Sequence, residues 1–159
     1  MAITSLSCCA RNTVDNSTVP VDLNKYLGRW YEIAKYDHYF ERDVDYATAH
    51  YSVIDNGKIK VVNSGMRGGE SKVSVGRAKI TDTPGLLRVS FFGPFYSDYR
   101  VMMVTPDYRY ALVGSKSADY LWIMSRTPAI PSDTLEAILT EARSRGYDTS
   151  KLIWVKHTN

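Results

Sequence analysis

The sequence predicts an all-β protein: an eight-stranded antiparallel up-and-down β-barrel, with one C-terminal α-helix packed on its outside and a short final strand. Three observations carry that reading. From Leu23 onward, about eight short apolar-alternating segments succeed one another, separated by turn residues. Twelve Tyr, four Phe and three Trp, with Val and Ile alongside, suit the half-buried face of a pleated sheet. Helical spacing occurs late in the chain, where Leu135, Ile138, Leu139 and Ala142 form one apolar stripe. A two-sheet sandwich fits the alternation equally well. Closure into a barrel would remove the exposed sheet edges and leave an interior wide enough for one small ligand.

Composition narrows the class. The 159 residues make one domain. With 44% hydrophobic and 23% charged residues, the chain is neither disordered, fibrous nor a coiled coil. No stretch approaches the roughly 20 apolar residues of a membrane-spanning helix. The net charge of +3 is too small and dispersed for a nucleic-acid groove. The two cysteines, Cys8 and Cys9, are adjacent and cannot cross-link the body of the domain.

In chain order, residues 1–21 read as an N-terminal tail and 22–159 as the folded domain. The start lacks the basic and long apolar regions of a signal peptide. Yet Leu6-Ser7-Cys8-Cys9 is similar to the end of a bacterial lipoprotein signal, and the polar stretch 10–20 reads as a tether. That makes Cys8 and Cys9 candidate lipidation sites on a truncated signal. The plain alternative is a tail with two incidental thiols. Multiple acyl chains on one such cysteine would anchor the domain to a membrane surface. Strands are expected over 30–36, 47–54, 58–64, 72–81, 85–91, 99–105, 110–114 and 120–125. Asp55-Asn56-Gly57 marks a hairpin, because Asn and Gly tolerate positive φ. Thr83-Pro84-Gly85 and Thr105-Pro106-Asp107 mark further turns. Ser132, Asp133 and Glu136 offer a helix N-cap, Gly146 a stop, and Leu152-Ile153-Trp154-Val155 a last strand.

Three motifs in order carry a family resemblance: Gly28-Arg29-Trp30, then Thr105-Pro106-Asp107-Tyr108, then Arg126. With the eight-strand meander and single helix, this chain resembles the lipocalin family over most of its length. Pro106 departs from the family's middle motif. Trp30-Tyr31-Glu32-Ile33-Ala34, Phe91-Phe92-Gly93-Pro94-Phe95-Tyr96 and Tyr120-Leu121-Trp122 are similar to the bacterial outer-membrane and apolipoprotein D-like subgroup. The resemblance makes Gly28, Trp30, Asp107, Tyr108 and Arg126 structural, with Trp30 closing one end of the barrel under the Arg126 guanidinium. Such a stack is worth about 0.5–2 kcal/mol.

The same register implies the lining of the calyx, since residues two apart on a strand face the same way. Counting from Trp30 turns Glu32, Ala34 and Tyr36 inward. Matching the family's second to fifth strands implies that Ala49, Tyr51, Ile59, Val61, Leu87, Val89 and Phe91 also face inward. Counting back from Arg126 adds Met124, Trp122 and Tyr120, and the other strands add Val101, Met103, Ala111 and Val113. The candidate ligand contacts are therefore Ala34, Tyr36, Ala49, Tyr51, Val61, Val89, Phe91, Met103, Val113, Tyr120 and Trp122. Tyr36, Tyr51, Tyr99 and Tyr120 offer hydroxyls to a polar headgroup. A bulge would invert any strand's facing. The bland alternative is a barrel filled by its own side chains. The four aromatics in 91–96 would meet a membrane, a second copy of the chain, a lid position, or the loop holding Tyr39 and Phe40.

No catalytic constellation is legible. His38, His50 and His157 are scattered, the thiols lie in the tail, and the acidic run around Glu41, Asp43 and Asp45 reads as a solvated loop. No metal or cofactor is expected. The resemblance implies a non-enzymatic protein that binds a small hydrophobic ligand such as a fatty acid or lysophospholipid. It further implies a periplasm-facing lipoprotein of a bacterial outer membrane. Alternatives are a tethered interaction protein with a filled barrel, or a lipid-modifying enzyme.

Overall fold

The computed structural model describes residues 13–38 and 41–158. A one-turn helix α1 (Leu23–Tyr26) leads into β1 (Gly28–Lys35) and β2 (Asp45–Val53). Next come β3 (Ile59–Arg67), β4 (Glu70–Ile80), β5 (Leu86–Phe92), β6 (Phe95–Val104), β7 (Tyr110–Gly114) and β8 (Leu121–Ser125). Helix α2 (Ser132–Ser144) and a two-residue strand β9 (Ile153–Trp154) complete the chain. Each strand from β2 to β8 pairs antiparallel with its neighbours in sequence, and β1 pairs with both β2 and β8, so the sheet closes into a barrel. The expected hairpin at 55–57 is a short 3-10 turn with Gly57 at φ +70°.

Strand β9 takes over one edge of β1. Residues Gly28 to Tyr31 pair with β2, while Ala34 and Lys35 pair with Trp154 and Ile153 of β9. The backbone N–H of Tyr46 then donates to the Lys156 carbonyl at 2.7 Å, so the C-terminal segment fills the gap where β2 leaves β1.

Apolar side chains form two cores on either side of the barrel wall. The outer core packs Ile138, Leu139 and Ala142 of α2 against Ile33, Ala34, Met102, Leu112, Leu121 and Ile123. A fully buried Leu or Ile contributes about 1.5–3 kcal/mol, enough for this stripe to hold the helix in place. The inner core holds Tyr26, Trp30, Ala49, Tyr51, Ile59, Val61, Ala78, Leu87, Val101, Ala111, Val113 and Met124. Two features differ from expectation, at the helix start and in the tail. The N-cap is Pro131, whose ring has no hydrogen-bond acceptor to offer, and Asp133 instead accepts from the adjacent Thr134 N–H. Residues 13–21 lie against the domain: the Val19 N–H donates to the Val101 carbonyl, and Arg145 donates to the carbonyls of Asp15, Ser17 and Met102.

The closed end is organised by Arg126. Its guanidinium carbon lies 3.8 Å from the centre of the Trp30 ring. Its nitrogens donate to the carbonyls of Lys25, Tyr26, Arg29 and Tyr108. Gly28 sits beside it at φ +99°, where a Cβ would stand 3.4 Å from Nη1, so only glycine is unstrained there. Tyr108 reaches the left-handed region at φ 57°, and its hydroxyl accepts from the Asp22 N–H. Arg126→Ala removes a cation–π stack and leaves these carbonyls to water. We expect it to destabilise the fold by about 2–4 kcal/mol, read as a lower urea midpoint with the β spectrum retained. An unchanged midpoint would contradict the role assigned to Arg126.

Candidate functional site

Strand alternation places the inner core at the closed end and thins it toward the mouth. Trp30, Ile59, Val61, Val101 and Val113 are fully buried in the barrel interior. Closer to the mouth, Val89, Phe91, Tyr99 and Trp122 are half-buried against that core. Ser97 pairs with Val89 and shares the inner face of β6 with Tyr99 and Val101, yet it is exposed. Ser74 on β4 is likewise exposed opposite Asn63. The upper lumen is therefore open to solvent. The β4–β5 ladder ends at Arg77 and Ser90, and beyond it a cavity of about 250 Å³ lies between Val75, Gly76, Ser90, Phe91 and Gly93. A Cβ on Gly76 would stand 2.7 Å from the Phe91 ring, so glycine there makes room for that aromatic.

Three of the expected lining residues stand elsewhere. Ala34 and Tyr36 belong to the outer core, because β1 shifts register between Glu32 and Ala34. Met103 packs on the same outer layer, because β6 shifts between Val101 and Met103 and returns Val104 to the interior. In each case one extra residue inverts the facing of the positions after it. Ala49, Tyr51, Val61, Val89, Phe91, Val113 and Trp122 lie in or against the inner core. Tyr120 precedes β8 at the mouth and stacks on His38 with ring centres 4.4 Å apart. His50 is exposed on the outer face. Cys8, Cys9, Tyr39 and Phe40 lie outside the described residues.

The bulge in β1 turns Lys35 inward in place of Ala34. Lys35, 3% exposed, pairs in register with Trp122. Its ammonium donates to the Glu41 carbonyl at 2.6 Å and lies 3.7 Å from the Glu41 carboxylate and 4.0 Å from that of Glu32. Trp122 Nε1 donates to the Glu41 carboxylate at 3.3 Å. The acidic run expected to be solvated thus sends Glu41 to the calyx wall, its side chain only 18% exposed. Burial and then the negative charge of Glu41 push the Glu32 carboxyl from its usual 4.5 up to about 8, against the opposing pull of Lys35. His38, buried beside Trp122, is held below its ordinary value chiefly by burial.

Across the lumen, three tyrosines form a second polar group. The Tyr26 and Tyr99 hydroxyls are 2.6 Å apart, and Tyr51 donates to Tyr99 at 3.1 Å. Burial raises all three phenols, so they act as neutral hydroxyls. The charges of Glu32 and Glu41 also raise Tyr51, which places it within electrostatic reach of the ion cluster. Neither Lys35, Glu41 nor Tyr26 is signalled by strand counting, since each depends on a bulge, a loop fold-back or a helix turn.

A closed eight-stranded antiparallel barrel with one outer helix, a tryptophan-and-arginine base and an open mouth defines a single-lumen β-barrel protein. Residues 21–157 match the family model described as a lipocalin-like domain, and the chain belongs to the lipocalin family. It is 46% identical to the outer membrane lipoprotein Blc of Escherichia coli K12 over 139 residues, 85% of this chain and 78% of that protein. It is 34% identical to mouse apolipoprotein D over 149 residues, 87% of this chain and 78% of the relative. Among solved structures, insecticyanin of the tobacco hornworm Manduca sexta superposes with a TM-score of 0.76 at 23% identity. That match covers 90% of this chain and 84% of the insecticyanin chain and shows the shared fold.

The raised Glu32 carboxyl has a thermodynamic consequence. The folded state keeps a proton that the unfolded chain releases near pH 4.5, so this group's stabilisation is complete below about pH 4.5. It is lost as pH rises toward about 8. We expect the urea midpoint of the wild type to fall relative to that of Glu32→Gln between pH 5 and pH 8. Parallel profiles would show that Glu32 is not held protonated.

Proposed function

We propose that this protein takes up and carries a small hydrophobic ligand in its calyx, a fatty acid, a lysophospholipid or a similar lipid. We further propose that it works at a bacterial outer membrane as a periplasm-facing lipoprotein anchored through Cys8 or Cys9. The single observation that carries the binding reading is the gradient along the lumen: packed at Trp30, half-buried at Val89, Phe91 and Trp122, and open at Ser97. An apolar chain entering there gains roughly 25 cal/mol for each Å² taken out of water. The names of the bacterial relatives support the membrane setting.

Binding is tested by titrating a long-chain fatty acid and a lysophospholipid while measuring tryptophan fluorescence, with native mass spectrometry for stoichiometry. Saturable one-to-one binding is expected, and Ser97→Trp, an exposed position on the inner face, should weaken it at least tenfold without lowering stability. Absence of saturable binding of either lipid by the folded protein would refute the carrier reading.

A second reading has its own observation. Phe92 and Phe95 pair across the β5–β6 turn at the mouth and are 80% and 77% exposed. A hairpin tip of this kind suits contact with a membrane, a partner or a second copy of the chain. If Phe92→Ser with Phe95→Ser leaves calyx binding intact but abolishes vesicle co-sedimentation or dimer formation, the tip is an interaction surface.

A further inference from the structure

The polar wall of the calyx has an unbalanced composition. Two carboxyl groups, Glu32 and Glu41, share one ammonium, that of Lys35. Lys35 is committed to Glu41, whose carbonyl it meets at 2.6 Å and whose carboxylate receives a further hydrogen bond from Trp122. Glu32 is left with an ammonium at 4.0 Å and accepts no hydrogen bond on its carboxyl from a described residue, although its side chain is only 9% exposed. A carboxyl group this buried and this poorly paired is costly unless something else meets it.

We propose that Glu32 is the specificity-determining group of the calyx, the counter-ion for the ammonium head of an amphiphile whose alkyl chain lies against the apolar wall. The proposal rests on the carrier reading and names the headgroup class within it. With Glu32 ionised, the cluster carries one net negative charge, and a ligand ammonium brings it to neutrality. A fatty carboxylate would be a third acidic group around a single Lys35. The aromatic residues nearby fit the same class, because a quaternary ammonium is attracted to the faces of Trp and Tyr. Trp122 stands in register with Lys35, and Tyr51 feels the charges of both glutamates.

Competing charge around Glu32 comes from few groups. Among the described residues, on β1 it is Lys35 and on the loop after β1 it is Glu41, while His38 interacts with Glu41 and Lys35 rather than with Glu32. On β8 the register partners Met124 and Trp122 carry none. On β2 the inner face offers Ala47, Ala49 and the neutral phenol of Tyr51. Beyond β9, His157 meets the backbone carbonyl of Glu32 at 2.6 Å. Glu32 is thus the group whose ionisation an incoming cation would favour, and binding should expel its proton.

The experiment compares three probes with the same chain, dodecyltrimethylammonium, dodecanoate and 1-dodecanol, at pH 6 and pH 9 on the full chain. Calorimetry in two buffers of different ionisation enthalpy counts the protons released. For the wild type, the ratio of cation to alcohol affinity should rise at least tenfold from pH 6 to pH 9, given a limit of about tenfold per pH unit below the pKa. Close to one proton should be released at pH 6, and dodecanoate should gain nothing at pH 9. Glu32→Gln should flatten that ratio and abolish proton release. Glu41→Gln frees Lys35 for Glu32 and should weaken the preference for the cation. A pH-independent ratio in the wild type, or dodecanoate binding tighter than the cation at pH 9, would overturn the proposal while leaving the carrier reading intact. If none of the three probes binds in a manner sensitive to Ser97→Trp, the carrier reading itself fails.

Discussion

The register shift in β1 between Glu32 and Ala34 is the constraint on which both faces of this barrel depend. A regular strand would present either Ala34 or Lys35 to the lumen according to its parity with Trp30. With one extra residue, Trp30 and Glu32 face in, Ile33 and Ala34 face out together, and Lys35 turns in again. The outward pair supplies the small and branched surface on which Ile138, Leu139 and Ala142 of α2 settle. The inward pair puts an acid and an ammonium on the same wall of the calyx. The same strand also changes partner at this point, from β2 to β9, because the local kink and twist of a bulge separate edges that a flat ladder would keep together.

Packing then grades along the lumen. At the closed end, Trp30 donates its indole N–H to the Tyr26 carbonyl at 2.8 Å while Arg126 covers its ring, so the aromatic with the largest apolar face is also fully satisfied. Above it, the hydroxyls of Tyr26, Tyr51 and Tyr99 bond mainly to one another, which allows three phenols to sit in an apolar interior. Toward the mouth, β4 and β6 carry the small residues Ser74, Gly76 and Ser97, of which Ser74 and Ser97 are exposed, beside the half-buried Phe91. Close packing and solvent exposure are therefore divided between the two ends of one barrel.

Much of this fold was legible from residue order. Alternation located all eight strands to within a few residues, although β1, β2 and β4 begin two residues earlier than the alternation indicates and β6 four. The helical stripe located α2, and Gly146, at φ +95°, ends it as its position suggested. The lining was legible wherever a strand is regular: Tyr51, Val61, Val89 and Val113 keep their parity. Ala34, Tyr36 and Met103 lost theirs at bulges, because a bulge depends on how two strands fit each other and leaves no periodic trace in either. Glu41 was invisible for a different reason, since a charged run in a loop looks solvated until a buried ammonium draws one member inward.

Residue order therefore settled the features that short-range physics governs, strand and helix periodicity and the glycines that tolerate positive φ, while the Trp30 and Arg126 pair at the base was implied by the family resemblance. Closure of the barrel settled the rest. Which side chain meets Lys35, how strongly Glu32 is pushed toward its neutral form, and where the lumen opens all depend on groups distant along the chain brought within a few ångströms in a low-dielectric interior. Electrostatic interactions there are set by burial and mutual distance, and neither quantity exists until the strands have closed on one another.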